Sequence, residues 1–166
     1  MKLSCLQENL AQGLGIAGRA VPSRTTMPIL GNVLLATDHG QLKLAATNME
    51  LSIVHWVGAR VETEGAITVP ARNFIDLIGS LPPDQVDLEL NEETMTLSLS
   101  CGSVKASFRG IASDEFPLVP EPEEDNGFSV EADDLSTGLG QVTFAASTDE
   151  SHPVLTGVLA EFEGET

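Results

Sequence analysis

The chain has 166 residues, 42% hydrophobic and only 4% aromatic, enough for one domain with its own core and part of a second. Eight Lys and Arg against twenty-five Asp and Glu give a formal charge of −17, and Tyr is absent, which excludes blanket phosphate neutralisation and argues against a base-stacking platform. No apolar run approaches the roughly 18 residues of a membrane span, the first dozen residues are too polar for a signal peptide, and Cys5 and Cys101 lack metal-ligand spacing, so a reduced cytoplasmic setting is expected.

In chain order, residues 1–5 predict a short strand. Leu6, Leu10, Leu14 and Ala17 then recur at three- and four-residue steps, one apolar stripe of a helix with Gln7, Glu8, Gln12, Gly15 and Arg19 on its other side. Residues 29–36, 42–47 and 51–59 have strand character, with a break at Asp38-His39-Gly40. The pattern restarts with a strand at 66–69, followed by Pro70, which a helix tolerates at its start, and a second apolar stripe of Phe74, Leu77, Ile78 and Leu81. Pro82-Pro83 stops that helix. Val86/Leu88/Leu90, Met95/Leu97/Leu99 and Val104/Ala106/Phe108 alternate as half-buried antiparallel strands do. Residues 1–120 therefore read as strand–helix–three strands, twice, an α+β domain with helices on one face of antiparallel sheets.

All eight bases lie within 1–120, against thirteen acids, while 121–166 holds twelve acids and no base. Three prolines, a glycine and an acidic run between 117 and 127 have the composition of a solvated connector, and an acidic linker is expected at 121–127. Residues 128–166 then begin a second domain. Shifting the chain by 125 residues aligns Leu10, Gly13, Leu14, Gly15, Ala20, Pro28, Leu30, Val33 and Leu34 with identical residues, nine matches over 10–34 where average usage gives roughly one or two. The second domain thus starts as a copy of the first. Cut mid-way, such a unit cannot bury its own apolar face, so the chain reads as part of a longer repeat protein.

Gly13-Leu14-Gly15-Ile16-Ala17-Gly18 spells GxGxxG. Dinucleotide binding needs those glycines in a strand-to-helix turn, where phosphate meets free N–H groups; here the helical stripe begins before them, and strands follow. A packing role is the better account. His39, His55 and His152 have no metal-ligand spacing, and no nucleophile-elbow motif is present. Glu92-Glu93 and Asp133-Asp134 suit a turn and a helix start. No catalytic residue, cofactor or metal site is expected. Two basic positions stand out: Arg24, in the loop after the first helix, and Arg72, at the start of the second.

The sequence resembles the bacterial DNA sliding clamp family, the beta subunit of DNA polymerase III. The resemblance is carried by Arg24-Thr-Thr-Met-Pro-Ile-Leu-Gly-Asn-Val-Leu34, Ala46-Thr-Asn-Met-Glu50, Val69-Pro-Ala-Arg72 with Phe74, Glu115-Phe-Pro117, and Ser151-His-Pro-Val-Leu-Thr-Gly-Val158. It implies the DNA-clamp fold, three such domains per subunit, and two subunits closing head to tail into a ring with helices lining the hole. The function implied is that of a non-catalytic processivity factor that encircles duplex DNA without reading sequence. It tethers the DNA polymerase III alpha subunit and is placed by a clamp loader.

By the same resemblance, Arg24 and Arg72 are DNA contacts, Asn73 stands where a second cation is common, and Gln12 and Arg19 are weaker candidates. Leu155 matches one apolar wall position of the family's peptide-capturing pocket. The 125-residue shift puts Asp149 where Arg24 sits, making the second loop a poor phosphate ligand. By itself a chain of this extent is not expected to encircle DNA. A stand-alone clamp-like interaction domain, and a nucleotide-binding enzyme built on the glycine run, are the alternatives.

Overall fold

The computed structural model describes residues 1–119, 129–149 and 151–161. The chain divides into two compact units, Met1–Pro120 and Glu121–Thr166. The expected linker at 121–127 lies outside the described residues.

The first unit runs β1 (Lys2–Leu6), α1 (Gln7–Ala17), β2 (Asn32–Asp38), β3 (Gln41–Thr47), β4 (Ser52–Val57), β5 (Ala59–Thr63), β6 (Ala66–Pro70), α2 (Ala71–Ser80), β7 (Gln85–Asn91), β8 (Thr96–Cys101) and β9 (Val104–Arg109). One antiparallel sheet has the order β5-β1-β7-β8-β9 and the other β4-β3-β2-β6. Each pass of the repeated pattern lends its first strand to the other pass's sheet: β1 pairs with β7, and β6 pairs with β2. Neither pass can complete a sheet without the other.

The alternating residues of both sheets bury one face. Leu3, Val33, Leu35, Leu42, Leu44, Ile67, Val69, Val86, Leu88, Leu97 and Leu99 join Leu10, Leu14 and Ala17 of α1 and Ala71, Phe74 and Ile78 of α2 in a single core. Phe74 meets Phe108 edge to face, ring centroids 5.1 Å apart. A buried polar relay fastens the exit from β9: Asn32 Nδ2 donates to Thr68 Oγ1 (3.0 Å), whose hydroxyl donates to the Ile111 carbonyl (3.0 Å).

Several expected boundaries shift. The apolar run at 29–36 opens with a 3₁₀ turn, Pro28–Gly31, because Pro28 cannot donate to a ladder, and the strand starts at Asn32. Residues 51–59 do not form one strand. Gly58 separates β4 from β5, and the chain passes there from one sheet to the other. Met95 is not on β8; it sits in the preceding turn at φ 48°. Leu6 is 58% exposed rather than part of the α1 stripe, and Gln7, expected on the polar side, is buried.

The glycine run lies within α1 and at its C-terminal cap, Gly18. A Cβ on Gly13 would fall 2.7 Å from Val57 Cγ2, and one on Gly18 would fall 2.7 Å from Ile75 Cδ1. These glycines let α1 approach β4 and α2.

The second unit holds α3 (Ala132–Val142), then 3₁₀ turns Thr143–Ala145 and Pro153–Thr156. Its counterparts in the first unit are α1, Gly18–Ala20 and Pro28–Gly31, and every boundary is displaced by the same 125 residues. The hydrogen bonds repeat too: Leu30 N–H to Met27 O at 3.1 Å is matched by Leu155 N–H to His152 O at 2.9 Å. The apolar stripe does not repeat its burial. Leu135, Leu139 and Val142 are exposed, whereas Leu10, Leu14 and Ala17 are buried.

Candidate nucleic-acid interface

α1 and α2 pack beside each other with their apolar stripes on the sheets, so each keeps one open side. On α1 that side carries Glu8, Asn9, Gln12 and Gly15, continued by Arg19 in the 3₁₀ turn. On α2 it carries Arg72, Asn73, Asp76, Gly79 and Ser80. The spacing of four and seven residues along one helix face places Gln12 and Arg19 in line. Arg72 and Asn73 lie in the first turn of α2, where the unpaired N–H groups and the dipole favour an anion.

Arg24 is exposed in loop 21–27, which joins the end of α1's 3₁₀ extension to Pro28. The loop is shaped by Thr25, whose Oγ1 accepts from Met27 N–H (3.0 Å) and donates to the Met27 carbonyl (3.2 Å). Among the described residues no carboxylate lies within 4.0 Å of Arg19, Arg24 or Arg72.

The remaining bases are elsewhere. Lys2, Lys43, Arg60, Lys105 and Arg109 lie on strands, alternating with residues that face the core, and so point to the opposite side of the sheets. Lys2 Nζ sits 2.8 Å from Glu62. That partner raises the Lys2 pKa, chiefly by hydrogen bonding, and lowers that of Glu62. Lys43 Nζ lies 5.6 Å from the Trp56 ring centroid, and Trp56 Nε1 donates to Asp38 (2.8 Å). Sequence reasoning missed this cluster, because it depends on the β3–β4 register that puts Lys43 opposite Trp56.

Charge is unevenly spread within the first unit. The two helices and the loop after α1 carry three bases and two acids, Glu8 and Asp76; the rest of 1–120 carries five bases and eleven acids. The open side of the helices with its loop is net positive by one; the strands carry five bases against four acids, and seven further acids lie in the connecting segments.

Leu155 belongs to the second unit and is not part of this surface. It is 58% exposed in the turn Pro153–Thr156. Its carbonyl accepts from Ser147 N–H (2.8 Å), a bond the first unit lacks because Pro22 stands there.

Comparison with known proteins agrees with this architecture. The beta sliding clamp of Synechococcus elongatus is 42% identical over 160 residues, covering 95% of this chain and 42% of that protein. The beta sliding clamp of Synechocystis sp. is 36% identical over 173 residues, covering 100% and 44%. The crystal structure of the Bacillus subtilis DNA polymerase sliding clamp superimposes with a TM-score of 0.88 at 27% identity, over 95% of this chain and 43% of that one. The Bartonella birtlesii sliding clamp bound to griselimycin gives 0.84 at 29%, over 91% and 40%. The chain spans less than half the length of these relatives, and the expected α+β clamp fold is the fold they share. Residues 1–120 match the N-terminal domain of the DNA polymerase III beta subunit, and the chain belongs to that family.

Proposed function

We propose that this chain supplies the first domain, and the opening of the second, of a sliding clamp: a non-catalytic processivity factor that encircles duplex DNA and tethers the polymerase. The observation that carries the reading is the charge distribution: the open helix side with its loop carries three bases against two acids, on a unit whose connecting turns are acidic. A ring retains DNA by topology, so strong contacts are unnecessary and would hinder sliding. An acidic exterior repels phosphate from the wrong face. Arg24 and Arg72, with Asn73, Gln12 and Arg19 beside them, touch backbone rather than base edges, because sliding must ignore sequence.

The same reading assigns the other partners. Two complete subunits pair head to tail, a clamp loader opens them, and the DNA polymerase III alpha subunit binds in the cytoplasm. Leu155, exposed in its turn, contributes one apolar wall of the pocket for partner peptides. Ring closure on this reading needs surfaces beyond those of the 166 residues.

A chimera tests the proposal. Residues 1–161 replace the matching segment of the Synechococcus elongatus clamp, and the product is loaded onto nicked circular DNA. Retention on the circle and loss on linearisation are expected. Equal retention on both forms contradicts threading.

A further inference from the structure

The two helices of the first unit run antiparallel. Gln7, in the first turn of α1, bonds to Ile78 in the last turn of α2. At the opposite end, a Cβ on Gly18, the cap of α1, would fall 2.7 Å from Cδ1 of Ile75, near the start of α2. One end of the pair thus joins the finish of α1 to the first turns of α2, and the other joins the start of α1 to the finish of α2. Charge follows these ends. Arg72, in the first turn of α2, and Arg19, in the 3₁₀ turn that extends α1, lie at the first end, and the loop bearing Arg24 leaves from it. Glu8 lies at the other end, beside Asp84, whose carbonyl accepts the Gln7 N–H at 3.0 Å. Asp76 is exposed between them.

The helices themselves account for one of these charges and not for the other. β1 and β6 run straight into α1 and α2, so Glu8 and Arg72 are each the second residue of a helix. Glu8 sits where the N-terminal dipole favours an anion, whereas Arg72 puts a cation at the same positive end, against the dipole. No acid stands in the first turn of α2 to offset it. Among the described residues, none of Arg19, Arg24, Arg72, Glu8 and Asp76 has an oppositely charged group within 4.0 Å. An incoming phosphate relieves the conflict at Arg72, because the guanidinium and the unpaired N–H groups of that turn both favour it. The same phosphate is repelled at Glu8 and Asp76.

We propose that the helix pair holds the DNA backbone at one end only: Arg19, Arg24 and Arg72 form the gripping end, and Glu8 and Asp76 are positioning residues that keep the duplex off the rest of the helix side. The proposal rests on the reading of that side as DNA-facing. It makes the weak hold a matter of where the charges stand along the helices and not merely of few cations.

Three variants test it. Glu8→Gln and Asp76→Asn remove a charge and keep the shape; Glu8→Lys puts a cation at the far end. The full chain, labelled with ¹⁵N, is titrated with a short duplex at low salt. In the parent, amide shifts are expected at 18–24 and 71–73, and not at 7–9 or 78–81. Each neutral variant is expected to tighten binding about 1.5- to 5-fold. Glu8→Lys is expected to bring shifts to 7–9 and 78–81 and to steepen the salt dependence by about 0.9 in log–log slope. Glu8 also supports the start of α1, so folding of its variants is checked in urea; Asp76→Asn, in mid-helix, decides alone if they unfold. Parent shifts at 7–9 and 78–81 as large as those at the arginine end overturn the proposal and leave the DNA-facing reading intact. Shifts confined to the arginine end, with affinity and slope unchanged in the folded variants, do the same. No shift anywhere on the helix side in any of the proteins overturns both.

Discussion

Gln7 Nε2 donates to the Ile78 carbonyl at 2.7 Å, a buried bond between the first turn of α1 and the last turn of α2, 71 residues apart. The Ile78 carbonyl is one of the last four of its helix, which lack intrahelical partners; it also accepts from Leu81 N–H at 3.3 Å. The Gln7 backbone N–H in turn donates to the Asp84 carbonyl at 3.0 Å. A polar residue on the core side of α1 thus fixes where α2 ends, and with it the relative placement of the two open helix faces.

Gln7→Ala is expected to lower the unfolding free energy by about 1–3 kcal/mol, the cost of a buried hydrogen bond left unmade. Gln7→Glu is expected to cost more, because it buries a carboxylate against a carbonyl oxygen. Urea denaturation of the two variants checks both, and equal stability with the parent contradicts the role.

Gly13 and Gly15 make opposite predictions from the same helix. A Cβ on Gly13 would lie 2.7 Å from Val57 Cγ2, 2.9 Å from His55 Cδ2 and 3.0 Å from Leu44 Cδ1, whereas one on Gly15 meets nothing within 4 Å. Gly13→Ala is expected to destabilise by about 1–3 kcal/mol through overpacking. Gly15→Ala is expected to stabilise by up to about 1 kcal/mol, the helix propensity difference. Thermal melts of the pair read the two signs.

The cysteines give a pH dependence. Burial pushes the Cys5 thiol up from 9.0 to about 12 and also raises that of Cys101. Above pH 9 the unfolded chain loses these protons while the folded chain keeps them, so the unfolded state binds fewer protons and stability falls as pH rises toward 12. The contribution is complete below pH 9. Cys5→Ala is expected to flatten the alkaline decline by up to about 1.4 kcal/mol per pH unit relative to the parent. Parallel declines in the two proteins contradict the shift.

Legibility followed the range of the interactions. The helix at Ala71–Ser80, between Pro70 and Pro82, and the alternating β7 were plain because both signals are local. The repeat was plain because identical residues at a fixed shift need no structure to interpret, and the elements obey that shift. The division of β4 from β5 was not plain. Residues on both sides of Gly58 have strand character, and the change of sheet is decided by pairing with β1, far away in sequence. The spacing puts Gln7 on the polar side of α1, and its acceptor, on another helix, leaves no local signal to the contrary. In the candidate interface, Arg24 and Arg72 could be named from motifs, but the turning of the other five bases to the far side of the sheets required the strand registers.

The most direct measurement of the central claim is the salt dependence of duplex binding by the parent, Arg24→Ala, Arg72→Ala and the double variant. Each arginine that neutralises a phosphate contributes about 0.9 to the slope of log K against log salt. The predicted result is a slope shallower by about 0.9 in each single variant and about 1.8 in the double, with unfolding free energy unchanged because both side chains are exposed. Slopes identical across the four proteins contradict a duplex-facing helix surface.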